Sequence, residues 1–161
     1  MLVDEMLTHT EIIHALRDSE IGTNLPIEDL ERLASIANVL SMEEGEFLTE
    51  EGADGHHIYF LISGRVEIQI CTDDGSNPAG SLMLHAGAII GEMSVLESAR
   101  RTATTKVLEH TTFLCLHDQD LWDLFDEDPR LGYQFMRNMA CILSRRLRMT
   151  NLAIRNSFFM D

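Results

Sequence analysis

The sequence predicts an α+β fold, mainly β, in which a small barrel of short strands lies between helices at both ends. Three observations carry this. Apolar residues recur at helical spacing before position 40 and again beyond Asp118. Between Glu46 and Leu116 the period shortens, most clearly in Arg65-Val66-Glu67-Ile68-Gln69-Ile70, where polar and apolar residues alternate as in a half-buried strand. Gly45, Gly52, Gly55, Gly64, Gly75, Gly80, Gly87 and Gly91 punctuate the same stretch at loop-like intervals, the mark of a small barrel or sandwich.

Taken in order, Thr10 is placed to cap a short helix carrying Ile12, Ile13 and Leu16. Pro26 opens a second, with Glu28 and Asp29 in its first turn favourable to the helix dipole. Its buried face is expected at Ile27, Leu30, Leu33, Ala37 and Leu40. Strands are expected at Ile58–Ile62, Arg65–Ile70, Leu82–Leu84, Thr102–Val107 and Thr111–Leu116, with Ser63-Gly64 as the turn between the first two. Asp73-Asp74-Gly75-Ser76-Asn77-Pro78 reads as the longest loop, an exposed hairpin tip. Asp118 caps a helix burying Leu121, Trp122, Leu124 and Phe125, and Asp128-Pro129 starts a long final helix. Along it Met136, Ala140, Leu143, Leu147, Thr150 and Ile154 form a heptad seam. The organisation expected is one domain, 1–161: N-terminal helices over 1–40, the barrel over 41–117 and C-terminal helices over 118–161.

At 161 residues the chain is long enough for one core. Its 45% hydrophobic and 24% charged residues exclude disordered and collagen-like classes. The net charge of −15 argues against non-specific attraction to nucleic acid, since such surfaces are usually basic. Cys71, Cys115 and Cys141 are scattered and have apolar neighbours, so they read as reduced core thiols and not as a disulfide frame or metal set. The start of the chain, with Asp4 and Glu5, is unlike a signal peptide, and no apolar run reaches the roughly 18 residues of a membrane span. A soluble cytoplasmic protein is the expectation.

One segment carries chemistry: Gly87-Ala-Ile-Ile-Gly91-Glu92-Met93-Ser94, leading through Arg100-Arg101 to Thr102-Ala103-Thr104. The first amides of a short helix lack intrahelical partners and can face an anion. An arginine fork beside them can take two phosphate oxygens. Glu92 at the same turn suits a ribose hydroxyl, as acids do in dinucleotide sites. Taken alone, the same residues also describe a plain glycine turn, a helix-start acid and a solvated arginine pair.

The segment resembles the phosphate-binding cassette (87–104) of the cyclic nucleotide-binding domain family. Gly52, Tyr59, Ile62 and Gly64 are similar to the family's landmarks in its early strands. Arg145-Arg146-Leu147 through Thr150-Asn151 to Phe158-Phe159-Met160-Asp161 is similar to the dimer helix of the family's catabolite-activator branch. The resemblance implies a β-roll or jelly-roll barrel flanked by N-terminal helices and a long C-terminal dimerisation helix.

It also implies roles. Glu92 would bind the ribose 2′-hydroxyl and Arg101 the cyclic phosphate. Gly91, Met93, Ser94, Thr102 and Ala103 would complete the cradle, and Thr150 would reach the purine. Asn151 stands where that branch has a serine contacting ligand across the dimer. Ala86 and Ala88 replace a proline and an acid in the preceding turn, and Arg100 a proline or polar residue.

The implied function is a cyclic nucleotide sensor, leaning to cyclic AMP over cyclic GMP, acting as a homodimer through its C-terminal helix and on an effector protein. No enzyme is expected, because the chain has no GxxxxGK[ST], HExxH or GxSxG motif. Neither metal nor resident cofactor is expected. DNA binding by this chain alone is not expected either, since no helix-turn-helix follows the last helix in the sequence given. Two other readings keep the fold: an interaction module without ligand, and the ligand-binding part of a transcription regulator.

Overall fold

The computed structural model describes residues 7–71 and 78–158, with the side chains of Cys71, Pro78 and Ala79 excluded. Helices α1 (His9–Asp18) and α2 (Ile27–Ser35) flank a 3-10 turn at Glu20–Gly22. Strands β1 (Asn38–Met42), β2 (Phe47–Thr49), β3 (His57–Ser63), β4 (Arg65–Cys71), β5 (Pro78–His85) and β6 (Ile89–Ile90) follow. After them come α3 (Glu92–Glu97), β7 (Thr104–Val107), β8 (Thr111–His117), α4 (Asp118–Glu127) and α5 (Pro129–Phe158).

The strands form two four-stranded antiparallel sheets, ordered β1-β8-β3-β6 and β2-β7-β4-β5. This is the expected β-roll with flanking helices and a long C-terminal helix. β3 and β4 belong to different sheets, so Ser63-Gly64 is a corner and not a hairpin turn. Gly64 sits there at φ +93°, and a Cβ on it would collide with Thr111 and the His110 carbonyl.

The continuous apolar run of β3 reflects its place between two cores. Side chains alternate across a strand. Ile58 and Phe60 therefore join the core beneath the helices, with Leu114, Leu116, Ile89, Leu16, Leu33 and Phe135. Tyr59 and Leu61 point the other way, into a second core between the sheets with Val66, Ile90, Val107 and Phe113. A strand buried on both faces has no polar positions to alternate.

Several expectations at the helix ends are corrected. Thr8, not Thr10, caps α1: its hydroxyl accepts from the Glu11 amide while Glu11 reaches back to the Thr8 amide, a reciprocal capping box. α2 ends at Ser35, so Ala37 and Leu40 fall outside it, and Leu40 lies opposite Phe113 on β1. Ile27 is 49% exposed, leaving Leu30, Leu33 and Ala34 as the buried face. His117 takes the N-cap of α4, with Asp118 as its first residue. Cys115 is half-buried and Cys141 exposed, so Cys141 is no core thiol. The loop tip at 73–77 and the residues 159–161 lie outside the described residues.

α5 begins as expected, with Asp128 Oδ1 accepting from the Leu131 amide at 3.2 Å. Its N-terminal half buries Leu131, Phe135, Met139 and Ile142. Asn138, also buried, donates to the carbonyls of Ile21 and Thr23, fastening α5 to the 3-10 turn. Beyond Leu143 the apolar seam residues Leu147 and Ile154 are 62% and 50% exposed. No helix among the described residues is long and apolar enough to cross a membrane.

Candidate ligand-binding site

β6 and α3 meet at Gly91, whose φ of +84° is one a side chain would resist. The bend turns the chain from a sheet edge into a helix. The loop after α3 then returns Arg101 under the bend. Arg101 is 93% buried. One of its terminal nitrogens donates to the Gly91 carbonyl at 3.2 Å and the Ser94 hydroxyl at 2.8 Å. The other donates to the His57 carbonyl at 3.0 Å. Its guanidinium carbon lies 5.5 Å from the centre of the Tyr59 ring.

All these partners are neutral. Among the described residues no carboxylate stands within ion-pair distance of Arg101. A buried cation without a counter-charge is costly to maintain and is strongly attracted to an incoming anion. The same charge leaves its mark on its neighbours. Burial first, then the His117 and Arg101 charges, hold the His57 imidazole below its ordinary pKa. Burial raises Tyr59 and Cys115, opposed by Arg101.

Two glycines make room for the guanidinium. A Cβ on Gly91 would run into its Nη1, and one on Gly55 into its Nε and Cδ. Gly55 was legible in the sequence only as loop punctuation. Its role needs the tertiary approach of Arg101.

Glu92, 95% buried, opens α3 and faces α5. Its Oε1 accepts from Arg146 Nη1 at 2.6 Å. The other terminal nitrogen of Arg146 donates to Glu20 at 3.0 Å and to the Ile89 carbonyl at 2.8 Å. Glu20 in turn accepts from the Ile89 amide at 3.3 Å, and the Glu20 amide donates to the Gly87 carbonyl. One arginine thus ties the long helix to the cassette and to the N-terminal helices. Arg146 and Glu20 were not among the candidate site residues.

The remaining candidates are placed as follows. Ser94 is buried, and its hydroxyl donates to Gly91 while accepting from Arg101. Met93 and Thr102 lie on the outer side, sulfur and hydroxyl 3.9 Å apart. The Ala103 carbonyl accepts from Thr49, which fixes the strand leaving the cassette. Thr150 is one helical turn beyond Arg146 and donates its hydroxyl proton to the Arg146 carbonyl at 3.0 Å. Asn151 is exposed, and its side chain makes no hydrogen bond among the described residues. The structure thus gathers Gly91, Ser94 and Arg101 into one contact set. It joins Glu92 to the helix of Thr150, and leaves Asn151 outside.

The model of the family "Cyclic nucleotide-binding domain" matches residues 39–128, more than half of the chain. The chain belongs to that family of regulatory domains. It is 27% identical over 139 residues to a cyclic AMP receptor protein of Thermus thermophilus, covering 86% of this chain and 62% of that protein. It is 30% identical over 123 residues to a cyclic nucleotide-gated cation channel protein of Drosophila melanogaster, covering 73% of this chain and 18% of that one. The chain therefore spans less than two thirds of the length of these relatives. A solved cyclic nucleotide-binding domain from Methylobacillus flagellatus superposes with a TM-score of 0.80 at 23% identity, over 92% of this chain and 83% of that one.

Proposed function

We propose that this domain is a cyclic nucleotide sensor that prefers cyclic AMP and signals through α5 as a homodimer. The observation that carries the reading is Arg101: a buried guanidinium held, among the described residues, by neutral acceptors alone, at a glycine bend, in a member of a family that binds a cyclic phosphate. The phosphate supplies the missing negative charge. The net charge of −15 does not oppose this, because charges beyond about 8 Å are largely screened at physiological salt.

Glu92 takes the ribose 2′-hydroxyl as an acceptor while Arg146 holds its other side. Thr150 reaches the base. Its proton is already given to the Arg146 carbonyl, so the hydroxyl meets the base as an acceptor. The exocyclic amino group of adenine donates, whereas the guanine oxygen in the corresponding position can only accept. The similarity to a cyclic AMP receptor protein is in the same direction. Ligand seated between α3 and Thr150 changes the packing of α5, whose exposed seam is the surface available to a second copy.

Calorimetric titration with cyclic AMP, cyclic GMP and cyclic di-GMP tests the reading. Cyclic AMP is expected to bind most tightly, about tenfold ahead of cyclic GMP, the scale of one neutral hydrogen bond. Binding of none of the three would reduce the domain to an interaction module.

A further inference from the structure

Charge is unevenly distributed along this chain. α5 carries six of the 12 Lys and Arg residues and none of the 27 acids, so the helix is +6 and the remainder −21. Two of the six arginines are used internally: Arg130 pairs with Asp29 and Asp128, and Arg146 with Glu20 and Glu92. Arg145 reaches Glu20 only at 3.9 Å. The side chains of Arg137, Arg148 and Arg155 are exposed and make no ion pair or hydrogen bond among the described residues.

These three are not scattered. Their separations of 11 and 18 residues are close to three and five whole turns, so they stand on one line about 27 Å long. That line runs along the side of α5 opposite the buried Leu131, Phe135, Asn138, Met139 and Ile142. Between its first two arginines the helix surface forms a shallow, open depression among the side chains of Arg137, Ala140, Cys141, Ser144, Arg145 and Arg148. Tyr133 and Leu152, 68% and 41% exposed, offer apolar surface beside it. The line is offset from the Met136–Ile154 seam, so it stays accessible in a dimer formed through that seam.

We propose that this basic ridge is a docking surface for an acidic segment of a partner polypeptide. Charge complementarity selects the sign, and spacing selects the class. Three cations spread over about 27 Å match occasional Asp or Glu side chains on a polypeptide, whereas duplex nucleic acid presents a charge every ~1.7 Å. The remaining body of charge −21 repels any anion beside the ridge, and it repels a nucleic acid, with its denser charge, more strongly than a peptide carrying occasional acids. Polypeptide side chains can use Tyr133 and Leu152, which a phosphate backbone cannot.

The test is fluorescence anisotropy of the full chain with three labelled probes at low and physiological salt. The probes are a peptide of about fifteen residues with Glu and Leu at helical spacing, its Glu-to-Gln counterpart, and a duplex oligonucleotide of similar length. The acidic peptide is expected to bind, more weakly as salt rises, and in preference to both others. R137Q/R148Q/R155Q should bind it about tenfold more weakly, since exposed pairs each contribute a few-fold. The variant's thermal unfolding by circular dichroism should be unchanged, since the three side chains make no ion pair or hydrogen bond within the described fold. The proposal is overturned if the acidic peptide fails to bind, if the variant binds it as the wild type does, or if the oligonucleotide binds more tightly. None of these outcomes depends on cyclic nucleotide binding.

Discussion

Arg146 on the long helix is shared between Glu92 of the cassette, at 2.6 Å, and Glu20 of the N-terminal turn, at 3.0 Å. Three segments far apart in sequence meet at one guanidinium. Glu92 is buried, so the pair is not the weak kind found on surfaces. Removing the cation leaves a buried carboxylate with no counter-charge. Arg146→Met is expected to cost about 2–4 kcal/mol of stability in urea denaturation. Adding Glu92→Gln to that variant should recover much of the loss. Equal loss in the single and double variants would mean that Arg146 acts through packing alone.

Glu92→Gln separates the sugar from the phosphate. It should weaken cyclic AMP more than 2′-deoxy cyclic AMP, since only the former has a hydroxyl to donate to the carboxylate. Calorimetric titration with both ligands checks this, and an equal loss for the two would remove Glu92 from the sugar site.

The exposed seam of α5 predicts self-association. Leu147 is 62% exposed in the single chain, and an apolar stripe of this kind buries itself against a twin. Leu147→Glu should sediment as a monomer where the wild type sediments as a dimer. A dimer that survives the substitution would place the interface elsewhere.

Thr150→Val removes the acceptor while keeping the shape. Cyclic AMP affinity should fall by roughly tenfold or less, the scale of one neutral hydrogen bond, with cyclic GMP nearly unchanged. Cyclic GMP losing more than cyclic AMP in the same titrations would reverse the assignment of the base.

Much of this was legible in the sequence because the signals are local. Alternation in Arg65–Ile70, the Asp128-Pro129 start and the glycine-acid turn at Gly91-Glu92 each rest on neighbouring residues. The losses have a common cause. β1, β2 and β6 are short, and β1 begins two residues after the C-cap of α2, so Ala37 before it and Leu40 within it prolong the helical spacing. The corner at Gly64 looks like a hairpin turn until β3 and β4 are seen in different sheets. Arg146 could be matched to a family helix, but its partners lie 54 and 126 residues away, a distance over which no spacing rule operates. Gly55 is the same case, defined by an arginine that folding brings alongside it.

In the function proposed above, Arg101 is a buried cation kept for a cyclic phosphate. Calorimetric titration of Arg101→Ala with cyclic AMP, alongside circular dichroism to show that the fold persists, tests it most directly. A charge-assisted hydrogen bond contributes about 1.5–3 kcal/mol, and the bidentate geometry is lost with it. The affinity is expected to fall by at least about tenfold while the unfolding transition stays cooperative. An unchanged dissociation constant in a folded variant would contradict it.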